Sequence, residues 1–75
     1  MTVATLSPRQ RQCLLWAARG KTCAEIASIT GLAYGTVKAH LDQARYKLDC
    51  AILPAATAMA VARGIFTLDD LMGRG

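Results

Sequence analysis

TGLAYGTVKAHLDQARYKL, residues 30–48, sets the architecture of the chain. Val37, Leu41, Ala44 and Leu48 recur at the i, i+4, i+7, i+11 spacing that puts them on one stripe of a helix spanning about residues 34–48. The other side of that helix is polar and mostly basic. Lys38, Asp42 and Arg45 form one outer stripe, and Thr36, His40, Gln43 and Lys47 form a flank. One side is sealed, and the other is left for water or for something that replaces water.

Upstream, Gly31 stops a short helix carrying Ile26, Ala27 and Ile29, which Thr22 and Glu25 open as a capping box. Only Leu32, Ala33 and Tyr34 stand before helical spacing resumes, so the two helices are joined as a helix-turn-helix. Further upstream, Ser7, Pro8 and Gln10 read as N-cap, first-turn proline and capping-box partner of a first helix. Leu14, Leu15, Ala17 and Ala18 fill it, with Trp16 on an adjoining side, and Gly20 ends it. Downstream, a fourth helix from Pro54 to Gly64 carries AATAMAVA and almost no polar side. A helix apolar all round calls for cover on more than one face, from a second copy of the protein or from the tail IFTLDDLM. Thr67 with Asp70 would cap a short final turn. The expected class is all-α.

At 75 residues the chain is one domain, close to the size at which a single core is marginal. No run approaches the roughly 18 apolar residues of a membrane span. MTVATLSPRQ lacks the regions of a signal peptide, so no membrane role and a cytoplasmic location are the default expectations. Cys13, Cys23 and Cys50 are odd in number, with no CxxC pair. Together with His40 they would suffice for zinc by count, but structural zinc sites supply ligands in close pairs. The expectation is three reduced thiols acting as small hydrophobes, with no metal, cofactor or small-molecule ligand. With one histidine, no Ser/His/Asp arrangement and no Gly-rich phosphate loop, nothing points to an enzyme.

The net charge of +4 is unevenly spread. Arg9, Arg11, Arg19, Lys21, Lys38, Arg45 and Lys47 face only Glu25 and Asp42 over residues 1–47, a balance of +5. Arg63 and Arg74 against Asp49, Asp69 and Asp70 leave −1 over residues 48–75. A basic front suggests a polyanion as partner. A helix about 10–12 Å across fits the major groove of double-stranded DNA. A helix-turn-helix presents its second helix to base edges while nearby cations neutralise phosphates. The bland alternative is that Lys38, Arg45 and Lys47 only solvate a surface helix.

Leu6-Ser7-Pro8-Arg9, Gly20-Lys21-Thr22, Glu25-Ile26-Ala27, Thr36-Val37-Lys38-Ala39-His40 and Lys47-Leu48 stand in the order and spacing of the bacterial LuxR/GerE-type DNA-binding domain. The resemblance runs over about residues 6–66, and CLLWAARGKT most resembles the quorum-sensing branch. It divides the chain into an N-terminal arm (1–5), the domain (6–66) and an extension (67–75). It implies a four-helix LuxR-type helix-turn-helix domain, with a short extra C-terminal turn allowed, acting as a homodimeric transcription regulator on a near-palindromic operator. Lys38, Ala39 and Asp42 fall at base-facing positions. Arg9, Lys21, Thr22, Tyr34, Gly35, Thr36, His40, Arg45 and Lys47 fall on or near backbone contacts. Ala56, Thr57, Met59, Ala60 and Arg63 fall on a dimer seam in the fourth helix. RNA polymerase or a larger LuxR-type regulator is a further implied partner. The initiator Met and the extension favour a freestanding regulator over the output domain of a larger receptor.

The departures from the family pattern are informative. Gln10 replaces the usual acid after Arg9, removing an intradomain salt bridge. Ala33 replaces the Ser expected as N-cap of the third helix, a loss of about 1 kcal/mol. Gly35 in the first turn costs up to about another 1 kcal/mol, or permits close approach to a phosphate. Ile52-Leu53 stands where a polar residue and a phosphate-binding arginine are usual. Asp42 has three readings: it orients Lys38 or Arg45, accepts a hydrogen bond from cytosine N4, or marks a surface that has lost DNA affinity. These departures motivate the alternative function, an antiactivator that pairs through its fourth helix with a full-length relative.

Overall fold

The computed structural model describes residues 6–72, so the arm at 1–5 and the last three residues of the extension lie outside the described residues. Within them the chain forms α1 (Pro8–Ala18), α2 (Cys23–Thr30), α3 (Tyr34–Lys47), α4 (Leu53–Ala62) and α5 (Leu68–Leu71), with no strand. The expected all-α class and the helix-turn-helix of α2 and α3 are both present.

Reciprocal caps start three of these helices. The Ser7 hydroxyl accepts the Gln10 amide at 3.1 Å while the Ser7 amide donates to Gln10 Oε1 at 2.9 Å. Thr22 and Glu25 repeat the arrangement at 3.2 and 2.9 Å, as do Thr67 and Asp70 at 3.2 and 2.9 Å. Each pair satisfies two of the amides that a helix N-terminus leaves without intrahelical partners. α3 has no such help: Ala33 stands at its N-cap with no side-chain bond.

Three helices stop alike. After α1, α3 and α4 the chain turns left-handed at Gly20, Asp49 and Gly64, and the amide of the next residue reaches back to the carbonyls of Trp16, Arg45 and Ala60. This is the Schellman motif, whose left-handed residue is normally glycine. Asp49 takes φ 57 with a Cβ present, so it carries a local strain that the glycines avoid.

The core consists of Leu6, Cys13, Leu14, Ile26, Val37, Leu41, Ala44, Leu48, Ala56, Ala60 and Phe66. The predicted α3 stripe, Val37, Leu41, Ala44 and Leu48, is buried in full. α1 turns differently from expectation: Cys13 and Leu14 are its sealed apolar residues, while Leu15, Trp16, Ala17 and Ala18 are half-buried. In α2 only Ile26 is sealed, and Ile29 is 46% exposed.

α4 corrects the sequence reading in one respect. It buries one face: Ala56 and Ala60 sit inside the chain's own core at 0% exposure, while Ala55, Ala58 and Ala62 face outward. Two alanines one turn apart let the helix approach α1 and α3 closely, so the missing polar side reflects small residues rather than cover all round. Ala56 and Ala60 therefore have no surface left to give to a dimer seam. The start of the tail stays on α4, where the Ile65 and Phe66 amides donate to the Ala60 carbonyl, and α5 docks on α1. Arg19 Nε donates to the Asp70 carbonyl at 2.8 Å, and Arg11 donates to the Ile65 carbonyl and to Asp70 Oδ2, both at 3.3 Å. The Arg11 guanidinium lies 5.4 Å from the Phe66 ring centre, and Phe66 is only 2% exposed.

Candidate nucleic-acid interface

Because Val37, Leu41, Ala44 and Leu48 face inward, α3 turns its other side to solvent. Tyr34, Gly35, Thr36, Lys38, Ala39, Asp42, Gln43 and Tyr46 are all exposed. Lys38, Ala39 and Asp42, the expected base readers, share this strip, since residues three and four apart are neighbours on a helix surface. At its front, the uncapped N-terminus presents backbone amides without side-chain partners from Ala33, where the helix dipole favours an anion. Gly35 has open space where a Cβ would stand, so nothing inside the chain requires glycine there.

Not every cation of the basic front half belongs to this surface. Arg11 and Arg19 are spent on the tail. Lys47 donates to Gln10 Oε1 at 2.8 Å, and the Gln10 amide donates to Gln43 Oε1 at 2.8 Å. Gln10 is 6% exposed. The Gln10 amide thus links α1 to Gln43 and Lys47 of α3 through both of its ends. Arg9 Nη1 donates to Gln12 at 2.9 Å and not to Glu25, whose carboxylate serves the α2 cap. Lys38 is the exposed cation of the strip itself, and Arg9, Lys21 and Thr22 are exposed on or before α1 and α2.

Arg45 and Asp42 form the most definite local structure. Arg45 Nη2 donates to Asp42 Oδ1 at 2.6 Å, and Nη1 donates to the Ala51 carbonyl in the loop beyond α3. The pair spans one turn, with Asp42's side chain 47% and Arg45's 30% exposed. The bond from Arg45, with the Lys38 and Arg45 charges adding to it, holds the Asp42 carboxyl below the usual carboxylate range. Of the three readings of Asp42, orienting Arg45 as a base reader fits poorly, because both Nη atoms of Arg45 bind its own chain. His40 is half-buried with its Nδ1 sealed, and that atom has no hydrogen-bond partner among the described residues. The three cysteines carry no disulfide, and burial pushes the Cys13 thiol up.

The expected dimer residues are scattered. Ala56 and Ala60 are internal, Met59 packs half-buried on the core, and Thr57 lines a groove of about 350 Å³ with Ala17, Ala18, Leu53 and Pro54. Only Arg63 is fully exposed. Ala55, Ala58 and Ala62 form the outward row of α4, and in a helix of alanines composition does not reveal which side is inside. No helix among the described residues is long and apolar enough to cross a membrane.

A short helix, a tight left-handed turn at Gly31 and a longer helix with a polar outer strip define a helix-turn-helix protein. Residues 4–60 match the family described as bacterial regulatory proteins, luxR family, and the chain belongs to that family, one of regulators rather than enzymes. It is 42% identical over 66 residues to the HTH-type quorum sensing-dependent transcriptional regulator VjbR of Brucella ovis, covering 88% of this chain and 26% of that protein. Against the HTH-type quorum sensing-dependent transcriptional regulator RpaR of Rhodopseudomonas palustris, identity is 46% over 63 residues, 84% of this chain and 26% of the relative. The transcriptional activator protein EsaR of Pantoea stewartii subsp. stewartii is 50% identical over 42 residues, 56% of this chain and 17% of that protein. The chain thus spans about a quarter or less of the length of these relatives.

Proposed function

We infer that this chain is a sequence-specific DNA-binding transcription regulator that lays α3 in the major groove. The observation that carries the reading is the two-sidedness of α3: Val37, Ala44 and Leu48 are 0% and Leu41 3% exposed, while Lys38, Ala39 and Asp42 on the other side are open. A rod of that width with a dry back and a polar, partly cationic front matches the dimensions and the charge of the groove. Lys38, Ala39 and Asp42 meet base edges. Arg9, Lys21, Thr22, Tyr34, Gly35 and Thr36 lie toward phosphates, and the uncapped amides at the front of α3 receive one of them. Arg45 and Lys47 act behind this surface, holding Asp42 and tying α3 to α1. A homodimer would place two such helices about 10 base pairs apart on a near-palindromic operator, its seam running along Ala55, Ala58 and Ala62 instead of Ala56 and Ala60.

Mobility shift against a randomised duplex pool at two salt concentrations tests the reading. A retained sequence with a steep salt slope supports it. Lys38→Ala should then cost about 1–3 kcal/mol at one base position, whereas a uniform loss would move Lys38 to a phosphate. The second reading, an antiactivator that pairs with a larger LuxR-type regulator, draws support from the weakened N-terminus of α3. Absence of any shift, together with co-purification of such a relative, would favour it.

A further inference from the structure

We propose that Asp42, braced by Arg45, selects a cytosine in each half-site by accepting a hydrogen bond from its N4 amino group. The proposal rests on α3 entering the major groove and adds which base one of its residues demands. Asp42 Oδ1 accepts from Arg45 Nη2 at 2.6 Å, which leaves Oδ2 as the carboxylate's second acceptor on a side chain that is 47% exposed. Arg45 is itself fixed to the Ala51 carbonyl, so the carboxylate is held against the body of the protein instead of swinging. That pre-ordering removes part of the entropy a flexible side chain loses when it is immobilised on a partner.

Base chemistry supplies the choice. In the major groove, guanine shows O6 and N7 and thymine shows O4, all acceptors that a carboxylate repels. Adenine offers an amino group, but with the N7 acceptor beside it. Cytosine offers N4 without that neighbour, and carboxylates accept from it. An aspartate is in acceptor form at neutral pH, and Arg45 and Lys38 push its carboxyl further below the usual range. Lys38 lies one turn before Asp42, and Ala39, three residues before it, puts only a methyl beside the carboxylate. The roles of the pair follow from exposure: the Asp42 side chain is the more exposed member at 47%, and the Arg45 side chain, at 30%, bonds within its own chain through both Nη atoms. Asp42 is therefore the reader and Arg45 the positioning residue.

The test is duplex selection with sequencing of the retained pool for the wild-type protein, Asp42→Ala, Asp42→Asn and Arg45→Gln. Wild type should enrich cytosine at one position of each half-site. Asp42→Ala should reduce that preference roughly 5- to 100-fold, leave the other positions unchanged and raise affinity for unselected DNA, since a repelling charge is gone. Asp42→Asn, which carries a donor and an acceptor, should move the same position toward adenine. Arg45→Gln should weaken the cytosine preference without moving it elsewhere. A wild-type motif unaltered by Asp42→Ala would overturn the proposal while leaving the DNA-binding reading intact. A pool with no enriched sequence for any variant would overturn both.

Discussion

Asp49 shows how a single residue can break a local rule that its neighbours obey. It fills the left-handed position after α3 that Gly20 and Gly64 fill after α1 and α4. Asp49→Gly should stabilise the fold by about 0.5–1 kcal/mol, read as a higher denaturant midpoint with an unchanged slope. No change would mean that the carboxylate earns its place through a local contact. The stop of α3 was poorly legible for the same reason, since its signal residue is an aspartate and not a glycine. Asp42 was only half legible. Spacing made Lys38 and Arg45 equal candidates as its partner, because one turn before and three residues after are both within reach. The Ala51 carbonyl, in the loop beyond the helix, decides between them by fixing Arg45.

At the level of the element, α3 was the most readable part of the chain and α4 the least. Large apolar residues at helical spacing leave one choice of inner face, so Val37, Leu41, Ala44 and Leu48 could be named from sequence. In α4, Ala55, Ala56, Ala58, Ala60 and Ala62 offer the same side chain on every side, and only packing against α1 and α3 selects Ala56 and Ala60. The front of α3 is under-built for stability, with Ala33 at the N-cap and Gly35 in the first turn. Ala33→Ser should add about 0.5–1 kcal/mol by capping the amides there. If those amides meet a phosphate in the complex, the same change should weaken DNA binding as it raises the melting temperature. Parallel gains in both would argue that the open N-terminus has no part in binding.

For the molecule as a whole, burial separates folding from assembly. Ala60→Glu would place a carboxylate in the core and should unfold the domain, as judged by loss of the cooperative melting transition. Ala58→Glu, on the outer side of α4, should leave the fold intact and reduce dimer formation in sedimentation; an intact dimer would exclude that side as the seam. Acid should act through three carboxylates. Glu25 and Asp70, held by their caps, and Asp42, held by Arg45, all titrate below the usual range in the folded state. Their contribution is therefore complete above the ordinary carboxylate value of about 4 and is lost as pH falls through the lower folded values. The melting temperature should be flat from neutral pH to about 5 and fall below about 4. A fall already under way near pH 6 would contradict this account. Everything functional rests on the outward side of α3, and amide chemical-shift mapping with a selected duplex reports on it residue by residue. The largest changes should fall on Tyr34 to Asp42, with Lys21 and Thr22, and α5 should stay unmoved. Unchanged amides along α3, with the perturbation confined to α4 or α5, would contradict the assignment of α3 as the DNA-reading helix.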